Sequence, residues 1–500
     1  MSNNLLNNSN NLVISNEENK KEDQFDRSLG YWDLSFAGYS LIVGAGIFTL
    51  MPFIINNAKG YSWLAFIIGG FISVLTGFSF IRLNMEYPVN DAEYSWFLGI
   101  IGDKKQPENS FRNKFAKAGA AILIWIVMLC VMSAIATVSA GMKDFIHLLG
   151  IKMNSYVLIF LAIFVPTFIN IVGTKYTSGL NQIIMTGITL LFVFVIGIAL
   201  KNHKYIGEIN FFNKPAKQNF SNIAKAAFMS IFAFNGFQAL VQMSEETKNP
   251  ANISKAMATS ISFSTLVYVL IAISIISIIG LSSAAKNGAP LSQAFSVVIG
   301  KGGGNITTLM CVICMFSTIL FSLLGGSRLL KNFAELGIAP RFLKTMEPLP
   351  QFLTGKNKSK SKSNSNSNSN SNSSNNKTIE NYENKQVENN KKSKIFEKMP
   401  INALIILSIA SFICVLAGKG VLETLATSSN IMIFIIWSSV HLLTIINYHK
   451  KDDEKYKFLE KYKDSPKLAK LAKMYPWYSV LGLITTLYML FKARHFLNET

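Results

Sequence analysis

An apolar run from Leu34 to Ile55 carries no charge and is long enough to cross a bilayer, yet Gly44-Ala45-Gly46-Ile47-Phe48 sits at its middle. A glycine inside a helix costs roughly 1 kcal/mol relative to alanine. Two of them within three residues mark a place where the helix is expected to stop and restart. Backbone broken at membrane depth is stable only where it is buried in protein or lines a cavity. A second interruption, Phe232-Ala233-Phe234-Asn235-Gly236-Phe237, falls inside the apolar run 223–244.

Eleven such runs span the chain, at 34–55, 62–83, 116–141, 155–173, 180–200, 223–244, 255–281, 304–325, 400–417, 425–447 and 476–492. Most meet the requirement of about 20 residues for a hydrocarbon core of about 30 Å. Half of the chain is hydrophobic and only 15% is charged, which is membrane-protein composition. Residues 1–33 are polar and Asn-rich, so the first span is expected to act as its own insertion signal. The net charge of +20 does not point to nucleic acid. Lys and Arg gather in the N-tail and in loops after even-numbered spans, the positive-inside pattern, which places the N-terminus in the cytoplasm. The loop 201–222, with Lys201, Lys204, Lys214 and Lys217, runs against that pattern. Cys130, Cys311, Cys314 and Cys414 all lie in apolar runs and read as small buried hydrophobes.

The expected organisation is a disordered cytoplasmic tail at 1–33 and spans 1–8 over 34–345. A disordered Asn/Ser/Lys-rich cytoplasmic insertion at 356–398, spans 9–11 over 400–492 and a tail at 493–500 follow. Without the insertion, spans 1–5 and 6–10 form two sets of five, each opening on an interrupted run. An odd number of spans per half forces the second half to insert upside down. The fold class is therefore an all-α polytopic membrane protein, a five-plus-five inverted repeat with discontinuous helices 1 and 6. Paired breaks of this kind are the sequence mark of a transporter's binding site.

The chemistry follows from the breaks. Amides exposed at Gly44 and Gly46 begin a second half-helix, and its positive end suits a carboxylate. Small-residue helix packing is the competing reading. At Phe232–Phe237 a half-helix ends and leaves carbonyls that suit an ammonium group. Phe232, Phe234 and Phe237 wall or gate a pocket on this reading, or are plain core residues. Asn235 is the sharper candidate there, being polar at mid-membrane, and is expected to line the site. Ser133, Ser317 and Thr318 face the same cavity or bond back to their own helices. A Na⁺ site built from span-1 carbonyls and span-8 hydroxyls is left open. The central parts of spans 1–10 hold no Asp, Glu, Lys or Arg. A charged substrate side chain would lack an ion partner there, which favours a neutral zwitterion. His441 is the ionisable group at depth, and its expected role is structural. Glu245 and Glu246 hold an inner gate or form a solvated helix end, with Pro250 stopping the helix after them.

Several segments resemble the amino acid–polyamine–organocation (APC) superfamily. They are Arg27-Ser28-Leu29-Gly30 with Gly38 and Gly44-Ala45-Gly46-Ile47-Phe48, and Tyr87-Pro88-Val89-Asn90-Asp91-Ala92-Glu93-Tyr94. The stretch from Phe232 through Glu245-Glu246-Thr247-Lys248-Asn249-Pro250, then Ser327-Arg328 and Leu336-Gly337-Ile338-Ala339-Pro340, extend the likeness. The resemblance implies amino acid transport by alternating access. It implies that Val43, Gly44, Ala45, Gly46 and Ile47 contact the substrate's carboxylate end. It implies that Phe232 to Phe237 contact its amino group and form the gate. Three features depart from the family: no lysine at the middle of span 5, Arg82 in place of an acidic residue, and no twelfth span.

The resulting expectation is a secondary amino acid transporter that is not an enzyme and holds no cofactor or metal. The coupling ion, H⁺ or Na⁺, is left open, as is an accessory subunit or homodimer. A multi-pass location in the plasma membrane is expected, with an endolysosomal or vacuolar membrane as the alternative. An amino acid receptor that binds without net transport is the competing function.

Overall fold

The computed structural model describes residues 30–88, 92–103, 105–172, 177–211, 217–247, 249–286, 288–344, 347–348, 398–418, 422–450, 459 and 465–498. The N-tail and nearly all of the 356–398 insertion lie outside these.

The helices of the first half are α1 (Tyr31–Ile42), α2 (Ala45–Ala58), α3 (Ser62–Glu86), α4 (Ala92–Ile101), α5 (Phe111–Leu148), α6 (Ser155–Val172) and α7 (Thr177–Lys201). After α8 (Lys217–Phe234) comes a 3-10 segment, Phe237–Glu246, and then α9 (Pro250–Ile279), α10 (Leu281–Lys286), α11 (Pro290–Ile299) and α12 (Lys301–Glu335). The remainder is α13 (Ile401–Ala417), α14 (Leu422–His449), α15 (Pro466–Lys473) and α16 (Trp477–Asn498). Seven segments among the described residues are long and apolar enough to cross a membrane. The shorter apolar helices Ser155–Ile171, Ile401–Ala417 and Trp477–Ala493 account for three further runs. Every expected span is thus helical, and the fold is that of an all-α, multi-pass membrane protein. Four short helices were not anticipated: α4, α10, α11 and α15. Nor was a two-residue antiparallel ladder pairing Glu347 with Met399 and Pro348 with Lys398. That ladder pairs a segment that precedes the low-complexity insertion with the residues at its C-terminal end.

Pro250 plays a different part from the one expected. The 3-10 segment stops at Glu246, and Pro250 opens the next helix rather than closing the last. Its fixed φ and missing N–H suit the first helical turn. Asn249 caps that helix by accepting the Ala251 amide at 2.9 Å.

The chain divides into two compact units. The first comprises residues 1–130, 191–307 and 426–500, and holds both broken helices. Here α9 packs along α1 and α3, and α8 packs along α2 and α3. Small residues permit these close crossings, as expected where helices meet inside a bilayer. Ser260 donates to the Ser35 carbonyl at 3.0 Å, and Ser230 to the Ala65 carbonyl at 3.2 Å. An aromatic core joins α3, α8, the 3-10 segment and α14. Phe228 stacks on Phe434, and Phe237 lies between Phe80 and Trp437. Each such pair adds about 0.5–1.5 kcal/mol beyond its buried area.

The second unit comprises residues 131–190 and 308–425. Its α6 and α13 pack through Phe160, Phe164 and Phe412, and Thr167 bonds Ser408 at 2.6 Å. Asn170 donates to the Leu320 carbonyl at 2.9 Å. Cys311 and Cys314 are buried free thiols in this unit, as expected for small apolar-like side chains.

Candidate functional site

The first break is a sharp local turn. The Val43 amide still closes a helical bond to the Tyr39 carbonyl at 2.7 Å. The Gly44 amide then turns back to the Ile42 carbonyl at 2.8 Å, with Val43 at φ −79° and ψ 71°. This is an inverse γ-turn, a low-energy way to leave a helix. Gly44 is the N-cap of the next helix and supplies no side-chain cap. The first amides of an α-helix have no partner within it. Those of Ala45, Gly46 and Ile47 therefore lead the positive end of α2 without a side-chain acceptor from the cap. Val43 and Ile47 are buried; the Ala45 side chain lies outside the described set.

The second break is built differently. The Asn235 amide reaches only to the Phe232 carbonyl, at 3.3 Å, and Gly236 then takes φ +129°. Only glycine adopts that region without strain. Gln238 braces the turn: its Oε1 accepts the Gly236 amide at 3.2 Å, and its Nε2 donates to Asn235 Oδ1 at 2.6 Å. Asn235 is thus half-buried and engaged with its own turn.

The two breaks interlock. A β-carbon on Gly46 would lie 2.7 Å from the Ala233 Cα and 3.2 Å from Phe232 Cδ1. A β-carbon on Gly236 would run into the Leu41 carbonyl. Each glycine therefore receives the backbone of the other broken helix. The packing reading of Gly46 holds alongside any role in binding. A bulky side chain there would meet Ala233 before it met a ligand.

A residue that sequence reasoning missed ties the breaks together. Tyr268 of α9 is fully buried, and its hydroxyl lies 2.9 Å from the Ile42 carbonyl and 2.8 Å from the Ala233 carbonyl. Both acceptors end a half-helix. One hydroxyl has one proton to donate, so it serves one carbonyl at a time, and the Ile42 carbonyl also accepts the Gly44 amide. Phe66 and Phe234 pack on the Tyr268 ring at 5.7 and 5.2 Å and hold its direction.

The remaining expected residues fall as follows. Phe232, Ala233, Phe234 and Phe237 are buried in the first unit beside the breaks, with Phe234 and Phe237 engaged in aromatic contacts. Ser133 and Ser317 belong to the second unit and are buried. Ser133 donates to the Leu425 carbonyl at 3.2 Å rather than to its own helix, whereas Thr318 bonds back to Cys314 at 3.0 Å. Glu245 and Glu246 end the 3-10 segment, and their side chains lie outside the described set.

His441 takes the structural role. Its ring lies between Thr76 Oγ1 at 3.1 Å and Ser79 Oγ at 2.8 Å, and Ser79 in turn meets Ser479 at 2.8 Å. A side chain at Gly482 would run into the ring. Arg82, the departure noted in sequence, pairs with Glu86 one turn on at 2.9 Å. Asn447 donates to the same Glu86 oxygen at 2.8 Å.

A buried pair of opposed half-helix ends in an all-α, multi-pass protein is the architecture of a membrane carrier. The family model described as "Amino acid permease" matches residues 29–495, and the chain belongs to that family. The chain is 25% identical over 352 residues to "Branched-chain amino acid permease BcaP" of Bacillus subtilis, covering 65% of this chain and 71% of that one. It is 26% identical over 357 residues to "Cationic amino acid transporter 5" of Arabidopsis thaliana, covering 67% of this chain and 60% of that one. It is 22% identical over 329 residues to "Inner membrane transport protein YbaT" of Escherichia coli, covering 65% of this chain and 73% of that one.

Proposed function

We propose that the protein is a secondary transporter that carries neutral amino acids across the plasma membrane by alternating access. The observation that carries this reading is the reciprocal seating of Gly46 on Ala233 and Gly236 on Leu41. That seating sets the open amides of one half-helix beside the terminal carbonyls of another. A zwitterion matches the pair: its carboxylate takes the amides of Ala45, Gly46 and Ile47, and its ammonium takes carbonyls of Ile42 and residues 232–235. Tyr268 can serve only one of its two carbonyls at a time, and this reading assigns the ammonium as a further donor to them. On this reading Phe232 lies over the ligand and Glu245 and Glu246 act at the inner gate, with the N-terminus in the cytoplasm.

The similar proteins are named for branched-chain and for cationic amino acids, so likeness alone does not choose the side chain. The absence of acidic residues from the central parts of spans 1–10 supports a neutral one. Membership of a permease family supports transport rather than bond-making chemistry. H⁺ or Na⁺ as coupling ion, and exchange without one, belong to the same test.

Counterflow of labelled amino acids in proteoliposomes, run across pH and with and without Na⁺, tests this. Accumulation of neutral amino acids is expected. Saturable binding without accumulation would support a receptor instead, and preference for cationic substrates would overturn the neutral assignment.

A further inference from the structure

The short helix α15 (Pro466–Lys473) lies outside the candidate site and joins α14 to the last apolar helix, α16. Its sequence is Pro-Lys-Leu-Ala-Lys-Leu-Ala-Lys. Lys467, Lys470 and Lys473 recur every third residue, which gathers them on one side of a helix. All three are exposed, and none makes an ion pair among the described residues. From Ser465 to Trp477 the chain holds no acidic residue, and the nearest in sequence is Asp464. The opposite side of the helix is already occupied: Ala472 is buried, and Leu468 and Leu471 are half-buried. The helix therefore has no free apolar face to insert between lipid chains.

Its C-terminal end lies beside aromatic residues of the kind that favour the membrane boundary. Tyr475 packs against Tyr448 and His449 at the end of α14, with ring centroids 5.3 and 6.0 Å away. Trp477, the first residue of α16, is 53% exposed. Tyr and Trp favour the membrane–water boundary because their rings are apolar and their tips are polar. Trp477 lies four chain steps beyond Lys473, a reach of at most about 14 Å. The lysine row is thus held in or just above the headgroup layer, within about one or two Debye lengths of its phosphates.

We propose that Lys467, Lys470 and Lys473 form a docking surface for anionic phospholipid headgroups. The surface binds phosphate charge without acyl insertion, so its affinity follows headgroup charge and ionic strength rather than lipid packing. Each lysine near an anionic surface contributes on the order of fivefold in affinity. Removing all three should weaken binding by roughly a hundredfold.

The test uses the full-length protein and short-chain phosphatidylglycerol, with phosphatidylcholine as the uncharged comparison, and native mass spectrometry to count retained lipid. The wild type should retain phosphatidylglycerol in preference to phosphatidylcholine, less so at raised salt. K467Q/K470Q/K473Q should lose that preference while its thermal unfolding stays unchanged, and K467R/K470R/K473R should keep it. Equal retention of the two lipids by the wild type would overturn the proposal. So would full retention by the folded glutamine variant.

Discussion

The two breaks interrupt their helices by opposite means. The first uses almost no polar side chain: an inverse γ-turn at Val43, a bare glycine at 44, and amides left facing forward. The second is braced by its own residues, with Gln238 holding Asn235 and the Gly236 amide, and with Asn235 returning to Phe232. The Tyr268 hydroxyl lies within hydrogen-bond reach of one carbonyl from each and donates to one at a time. The cap at the first break offers its amides no side-chain acceptor, whereas acceptors at the second already have competition. A ligand's negative end should therefore contribute more to its binding than its positive end.

The largest effect is expected from Gly236→Ala. A non-glycine residue forced to positive φ costs about 1–3 kcal/mol, and here the new methyl also meets the Leu41 carbonyl. Uptake should be lost and thermal unfolding should shift down; normal counterflow by this variant would break the interlock. Tyr268→Phe comes next. The ring keeps its contacts with Phe66 and Phe234, but one buried carbonyl loses its donor, at a cost of about 1–3 kcal/mol. Initial uptake rates should fall by about tenfold with the fold intact. His441→Leu should lower stability at the small end of the same range, about 1 kcal/mol. Thr76 keeps its bond to the Ile72 carbonyl, and Ser79 keeps its bond to Ser479. Thermal unfolding should register that change and substrate selectivity should not. Asn235→Ala should have the smallest effect, under about 1 kcal/mol. It should appear as weaker discrimination between amine-modified analogues in competition assays.

Much of this architecture was legible in the chain. Gly44, Gly46 and Gly236 announce themselves because glycine is a poor helix residue and long uncharged runs leave few other readings. Their reciprocal seating was not legible, because it depends on which backbone each glycine meets. Tyr268 escaped notice for a related reason. A tyrosine in an apolar helix reads as core, and only three-dimensional placement sets its hydroxyl between two carbonyls 191 residues apart in the chain. Ser133 likewise spends its hydroxyl on Leu425, a partner with no local signature. Pro250 carries the same local signal whether it ends one helix or begins the next, and the cap at Asn249 decides it. The short helices α4, α10, α11 and α15 fall below the length that hydropathy can separate from a loop.

The central claim is that one zwitterion bridges the two broken ends, held more firmly by its carboxylate. Competition in the counterflow assay between a transported neutral amino acid, its methyl ester and its N-methyl derivative measures this directly. The account predicts that the ester loses about a hundredfold or more in competing power, and the N-methyl form about tenfold or less. An ester that competes as well as the parent amino acid would contradict it.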